Sequence, residues 1–341
     1  MKTVAKLVAF ICVLTLLLGC CSTAFADGKL SVYTAYPEEQ AAEFLALFEK
    51  ETGIDVEWVR LSAGEIYTRV AAEANNPQAS IWWGTSAETF MVAAADGLLE
   101  TYESPALESI DSQFKSQDGT WSPFSLQIIS YLVNEDWLAE NGYEAPTSWD
   151  ELITEKYKDN IVIAHPATSG MSYTWLYYMV QLMGEEEAFE YLHKLNDNIF
   201  QYAKSSNSPP RMVGMGECAL TVAYTNQGMT NRNEGYPISI TTPAEGTSYE
   251  NSAMAIIKNG PADELENAKT FIDWALSKEA QGAFAKISYM IPVNSEAETP
   301  EGMVTLDQVN VFALDTQAAS ANRERLLNRF ETEIRGKDNL A

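Results

Sequence analysis

A chain of 341 residues with 46% hydrophobic and 11% aromatic side chains is too apolar to remain disordered and long enough to build two cores. Its 48 acidic residues against 22 basic ones give a formal net charge of −26, which argues against nucleic acid as a partner and suits a soluble, acidic surface. With two histidines and no HExxH helix, CxxC pair, GxSxG elbow or GxxxxGK turn, the chain offers no motif for metal, redox or nucleophilic chemistry, and neither a cofactor nor a metal is expected.

In chain order, Lys2 and Lys6 precede an apolar run from Leu7 to Leu18, the layout of an export signal and too short to span a bilayer. Two processing routes fit. Leu17-Leu18-Gly19-Cys20 is a lipoprotein box, which would anchor the chain at Cys20, and Ala24-Phe25-Ala26 is a signal-peptidase site. The second is favoured, because Asp27, Gly28 and Lys29 alone then precede the first strand, whereas a lipid-anchored domain needs a longer tether. Residues 1–26 are therefore expected to be a signal peptide, and either route puts the mature chain outside the cytoplasmic membrane. Of the four cysteines only Cys218 lies beyond this segment, so no internal disulfide is expected.

A strand, a turn and a helix then recur. Leu30 to Tyr36 is β-rich, Pro37 follows at a helix start, and Glu38 to Thr52 has helical apolar spacing closed by Gly53. Ile54 to Leu61 alternates as a strand, Ser62-Ala63-Gly64-Glu65 turns, and a helix runs from Ile66 to Asn75. Ala79 to Trp83 leads through Gly84-Thr85-Ser86 into a helix to Ala95, ended by Gly97. A second series starts near Trp121 with the extended apolar segment Phe124 to Asn134, then Trp149 to Tyr157 as a short helix and Ile161 to Ala164 as a strand. Ala167-Thr168-Ser169-Gly170 turns into the helix Met171 to Met183, and Cys218 to Tyr224 is a strand ending at Thr225. Ser252 to Lys258 is strand-like and leads into helices from Asp263 to Ser277 and Glu279 to Lys286. The alternation predicts an α/β fold with parallel pairing and right-handed crossovers. Two lobes are expected, residues 29–124 plus 250–341 and residues 125–249, joined by two crossover segments that permit hinge closure.

Ligands of open α/β sheets sit outside the carboxyl ends of strands, where turns into helices present free N–H groups. The candidates are accordingly Tyr36, Ser62, Gly64, Glu65, Gly84, Thr85, Thr168, Ser169 and Gly170. Tyr173 lies in the first turn of a helix, Tyr224 and Thr225 end a strand, and Glu245 lies on the return crossing. Glycine admits a close approach and hydroxyls add donors, so these turns suit an anion held without lysine or arginine. A Ser or Thr before a helix also serves as an ordinary N-cap, and it is the coincidence of several such turns in both lobes that favours a ligand. Trp82 and Trp83 are adjacent and therefore face opposite ways, core filling being the default for both. An enzyme would need a paired acid and base; Glu65, Glu245 and His165 are the only candidates and none is paired with a nucleophile.

At these residues the chain resembles the ABC-transporter solute-binding proteins grouped with ferric-iron, hexose-phosphate and 2-aminoethylphosphonate binders. The similarity covers nearly everything after the signal and rests on NPQASIWWGTSAETF from Asn76, HPATSGMSYT from His165, PAEGTSYENSAMAIIKN from Pro243 and ANRERLLNRF from Ala321. It implies the bilobed type II periplasmic-binding fold, a monomer that holds a small anionic ligand between its lobes and delivers it to a membrane permease and ATPase. In the hexose-phosphate branch Ser-Gly and Thr-Ser-Gly turns hold the phosphate, matched by Ser62, Gly64, Thr168, Ser169 and Gly170, and Glu245 matches an acidic hinge residue. Tyr224 and Thr225 stand where that branch has His-Asp, which counts against a hexose phosphate. Ferric binders place two consecutive tyrosines in this region, and here only Tyr224 is present, while Tyr177 and Tyr178 lie inside a helix. A phosphate- or phosphonate-bearing organic ligand is thus expected, with ferric iron on Tyr224 as the alternative, and a sensor role is left to neighbouring genes to decide.

Overall fold

The computed structural model describes residues 28–335, so the signal segment with Cys12, Cys20 and Cys21 lies outside the described residues. The chain begins with β1 (Gly28–Thr34), α1 (Glu38–Thr52), β2 (Ile54–Arg60), α2 (Ala63–Ala72), β3 (Ile81–Ser86) and α3 (Ala87–Ala95). Local chemistry sets these boundaries. Glu38 and Glu39 complement the N-terminal dipole of α1 and Gly53 ends it in the left-handed conformation, while Ser62 and Glu65 form a reciprocal capping box at α2.

β4 (Ser122–Asn134) follows, then α4 (Glu135–Asn141), β5 (Ile161–Ala164), α5 (Gly170–Met183), α6 (Glu185–Asn196), β6 (Ile199–Ala203), α7 (Ser208–Gly214), β7 (Leu220–Tyr224), α8 (Thr225–Asn233) and β8 (Ile238–Thr241). The chain returns through β9 (Thr247–Ile256) to α9 (Leu265–Ala275), α10 (Lys278–Ser288), β10 (Ile291–Pro292), β11 (Val311–Phe312) and α11 (Thr316–Arg329), which ends in a π-helical turn, Phe330–Arg335. Trp149 to Tyr157 forms short 3-10 turns, Asp150–Ile153 and Glu155–Tyr157, rather than one helix.

One curled sheet runs through the molecule in the order β2-β1-β3-β9-β4-β7-β5-β6. β1 pairs in parallel with β2 and β3, and β5 pairs in parallel with β6 and β7, as crossover helices require. β4 and β9 join the two halves. Residues 122–128 of β4 pair antiparallel with β9, and residues 129–133 pair antiparallel with β7. Every residue of β4 is buried because it is sheet centre in both halves, which explains its uninterrupted apolar character.

Trp82 and Trp83 are both fully buried but on opposite faces of β3. Trp83 packs with Phe44, Phe124 and Phe284, while Trp82 meets Phe90 in the core that holds Tyr33 and Ile66. The second half has its own core around Tyr131, Trp149, Trp175 and Phe189. Ala319, Leu326, Phe330 and Ile334 belong to this second core, so this part of α11 and its π-helical turn pack with the middle of the chain, while the first residue of α11, Thr316, meets Met91 of α3. The cause is electrostatic as well as apolar. Arg325 and Arg329 both bind Glu185 at the start of α6, at 2.5 and 2.8 Å, and Arg329 also binds Glu186 at 2.8 Å.

Candidate functional site

Tyr36, just past β1, ties the first half to both connecting strands: its hydroxyl meets Ser125 Oγ of β4 at 3.1 Å and Ser252 Oγ of β9 at 2.7 Å. Its ring lies over Gly84, whose φ of +89° and missing Cβ admit it, since a Cβ there would overlap the ring. Thr85 is buried beside Gly84 with its hydroxyl unpartnered among the described residues.

Ser62, Gly64 and Glu65 are exposed, and a Cβ on Gly64 would meet nothing within 4 Å. The Ser62 hydroxyl donates to Glu65 Oε2 at 2.6 Å, and that bond, the Ser62 N–H and the nearby charges of Arg60 and Lys204 hold the Glu65 carboxyl below its ordinary range. Lys204 follows β6 in the second half, near enough for its charge to be felt at Glu65. The Lys204 carbonyl in turn accepts from Thr168 Oγ1 at 2.8 Å. Ser169 is buried and caps α5 by accepting from Ser172 N–H at 3.3 Å, which leaves its own proton free to donate, and Gly170 is exposed. His165 is turned away, with Nε2 3.2 Å from Glu331 and its ring against Phe330.

Tyr224 ends β7 and donates to Glu250 Oε2 of β9 at 2.6 Å, with Thr225 buried next to it. Glu245 does not meet Tyr224. It is exposed and accepts from the backbone N–H of Trp149 at 3.2 Å, because the carbonyl of the next residue, Gly246, is held by Trp149 and Tyr178. The carboxylate at the centre of the crossing is therefore Glu250, which the sequence reading did not single out. Burial, then the charge of Glu88 on α3, pushes the Glu250 carboxyl up to about 7 despite hydrogen bonds from Tyr224 and Thr174. Burial also raises Glu88, and burial, then the charge and hydrogen bond of Glu250, raises the Tyr224 phenol well above its usual range.

Arg323 of α11 is a further residue that sequence reasoning missed. Its guanidinium lies 4.3 Å from the centre of the Tyr173 ring, while the Tyr173 hydroxyl donates to the Ala319 carbonyl. It is half-buried, feels the charge of Glu88, and forms no ion pair with a described carboxylate.

Two lobes joined by paired strands, with hydroxyl-bearing turns at their strand ends, define the architecture of a protein that binds a small solute. Residues 84–316 match the model of the bacterial extracellular solute-binding proteins, and this chain belongs to that family. The periplasmic binding protein AfuA of Actinobacillus pleuropneumoniae, solved with fructose-6-phosphate bound, is similar at a TM-score of 0.83 and 31% identity, over 91% of this chain and 99% of that one. A Salmonella paratyphi A protein, provisionally named a 2-aminoethylphosphonate-binding periplasmic protein, is 28% identical over 256 residues, 73% of this chain and 72% of its own. The apo ferric ion-binding protein of Pasteurella haemolytica shares the fold at a TM-score of 0.77 and 19% identity, over 90% of this chain and 98% of that one. The family implies a small-molecule ligand and membrane transporter partners, and the named relatives are binding proteins.

Proposed function

We propose that this protein captures a small organic phosphate or phosphonate between its lobes for an ABC importer and does not transform it. What supports the reading is that Lys204, after β6, connects two donor turns: its charge is felt at Glu65 of the Ser62–Glu65 turn, and its carbonyl accepts from Thr168 of the Thr168–Gly170 turn. A tetrahedral oxyanion accepts from several N–H and O–H groups at once, and helix starts provide them. Ser62, Gly64, Thr168, Ser169 and Gly170 would hold the anionic head, and Tyr224 and Thr225 would face the tail, with Gly84 and Thr85 on the first-lobe wall. The similarity to AfuA and to the Salmonella protein supports this class of ligand. The protein acts as a monomer without nucleic acid, exported by residues 1–26 and cut after Ala26, which the mass of the mature amino terminus tests against lipidation at Cys20.

Calorimetric titration with hexose phosphates, 2-aminoethylphosphonate, inorganic phosphate and ferric citrate tests the ligand class. Ser169→Ala is expected to weaken an organic phosphate or phosphonate by about 1–3 kcal/mol, since the lost donor served a charged oxygen. Ferric iron is the second reading, favoured by the oxygen donors Tyr224, Glu250 and Glu88 standing together. Binding of ferric ion alone, with a tyrosinate absorption band lost in Tyr224→Phe, would replace the first reading by the second.

A further inference from the structure

We propose that His165 is a positioning residue for the anion-holding turn Thr168–Gly170, and that the carboxyl-terminal turn Phe330–Arg335 sets which of its ring nitrogens carries the proton; the inference rests on the reading above of Thr168–Gly170 as a holder of the anionic head. His165 follows β5, and its N–H donates to the Ala203 carbonyl of β6 at 2.8 Å. Its own carbonyl accepts from the N–H groups of Thr168 at 3.0 Å and Ser169 at 2.9 Å, and its ring Nδ1 accepts from the N–H of Ala167 at 3.2 Å. Pro166 has no N–H, so this one residue gathers every backbone donor between itself and Gly170. Among the donors left for a ligand are the Ser169 hydroxyl and the N–H groups of Gly170 and Met171, which open α5 and have no carbonyl of the helix to meet.

Only an unprotonated Nδ1 can accept the Ala167 N–H, so the ring proton belongs on Nε2, and Nε2 lies 3.2 Å from Glu331 Oε1 of the carboxyl-terminal turn. The ring makes edge contacts with Tyr202 of β6 and with Phe330, at 5.7 and 5.4 Å between ring centres. The titratable and charged groups around it are Glu331 and Arg335 of the carboxyl-terminal turn and Tyr202 of β6. Burial favours the neutral imidazole and lowers its pKa, Glu331 opposing this and Arg335 assisting. Protonation sets a second N–H against that of Ala167, and two donors cannot share one hydrogen bond. The start of the turn then loses its tie to the ring. A looser turn binds an anion more weakly, because its ordering must be supplied on binding.

The test is calorimetric titration with fructose-6-phosphate and 2-aminoethylphosphonate, from about pH 8 to about pH 5, of the unaltered protein and of His165→Asn, His165→Ala and Glu331→Gln. Asparagine and alanine both remove the packing of the ring, but the asparagine Oδ1 stands where Nδ1 stood and accepts the N–H two residues on without titrating. At about pH 8 His165→Ala is expected to bind about 2- to 10-fold more weakly than His165→Asn, the range for one hydrogen bond. As the pH falls, the unaltered protein should lose affinity relative to His165→Asn, a ratio from which the ionisation of the ligand cancels and which stands even if His165→Ala does not fold. Glu331→Gln keeps an acceptor for Nε2 but removes the charge that favours the imidazolium, so its loss of affinity should set in at lower pH. Equal affinity of the alanine and asparagine variants, a ratio that stays flat or rises as the pH falls, or a Glu331→Gln profile that coincides with that of the unaltered protein overturns this inference alone. Unchanged affinity in Ser169→Ala, or failure of both ligands to bind, overturns the head reading and this inference together.

Discussion

Two glutamates of the first lobe and its connecting strand differ in a way that separates architecture from recognition. Glu264, at the start of α9, is 4% exposed, and one of its oxygens accepts from Ser31 N–H at 2.8 Å, Ser31 Oγ at 2.5 Å and Ser80 Oγ at 2.6 Å. Its donors come from neighbouring strands of one lobe, and the group pins α9 to the sheet. Glu250 takes its hydrogen bonds from Tyr224 and Thr174 of the opposite lobe, is raised by burial and then by the charge of Glu88, and is partly exposed as a residue. A buried acid whose donors are all supplied by its own lobe holds that lobe together, whereas one whose donors come from across the junction ties the two lobes to each other.

Exchanging the roles of these residues gives the largest effects. Glu264→Ala strands the Ser31 N–H and two hydroxyls and is expected to lower stability by about 1–3 kcal/mol for each group left unmet, seen as a lower denaturant midpoint with ligand affinity retained. Glu250→Gln should show the reverse, with the midpoint held or raised because a poorly solvated charge is removed. If both variants lose stability alike, Glu250 is architectural as well. Gly84→Ala comes next, at about 1–3 kcal/mol, because the new methyl must displace the Tyr36 ring and adopt a left-handed backbone.

The pH dependence of the ligand-free protein sharpens the contrast with opposite signs. The folded-state pKa of Glu250, about 7, lies above the ordinary 4.5, so the folded state binds more protons in this range. Its contribution is complete below about 4.5 and is lost as the pH rises to about 7. Glu185 is pulled down to about 2 chiefly by its hydrogen bond with Arg325, reinforced by Arg329. Its contribution is complete above about 4.5 and is lost as the pH falls toward 2, loosening α11 from α6. Melting temperature against pH should therefore fall on both sides, and Glu250→Gln should flatten the upper side alone. A wild-type melting temperature that stays level from pH 4.5 to 7, or a Glu250→Gln variant whose upper side still falls, contradicts the raised Glu250 carboxyl.

The strand, turn and helix units were legible because their apolar periods and caps are local, as in Ser62 with Glu65, and β4 was legible because burial on both faces leaves an unbroken apolar run. The docking of α11 was not, since it depends on Arg325 and Arg329 meeting Glu185, some 140 positions away in the chain. Glu250 was illegible for a related reason. TSYENSAMAI contains several polar residues, and only its pairing with β4, Gln127 opposite Glu250, decides which of them meets Tyr224. The expectation of Glu245 as the hinge acid came from its place on the return crossing and from its match to an acidic hinge residue of the hexose-phosphate branch, neither of which specifies side-chain direction. Arg323 required the tertiary contact with Tyr173 to be seen at all.

The smallest expected effect on stability tests the other end of the cleft. Ser62 is exposed and its side chain both accepts from Glu65 N–H at 3.4 Å and donates to Glu65 Oε2 at 2.6 Å, so Ser62→Ala should cost about 0.5–1 kcal/mol as the loss of an ordinary helix cap. Ser62→Asp restores a cap acceptor and suits the helix dipole, so its melting temperature should exceed that of Ser62→Ala. It also places a negative charge at the turn proposed to hold an anionic head. Affinity for 2-aminoethylphosphonate should then fall about tenfold or more in Ser62→Asp, the stability and affinity changes running in opposite directions relative to Ser62→Ala. Unchanged affinity in the aspartate variant would remove this turn from the head subsite and leave the Thr168–Gly170 turn to hold the anion by itself.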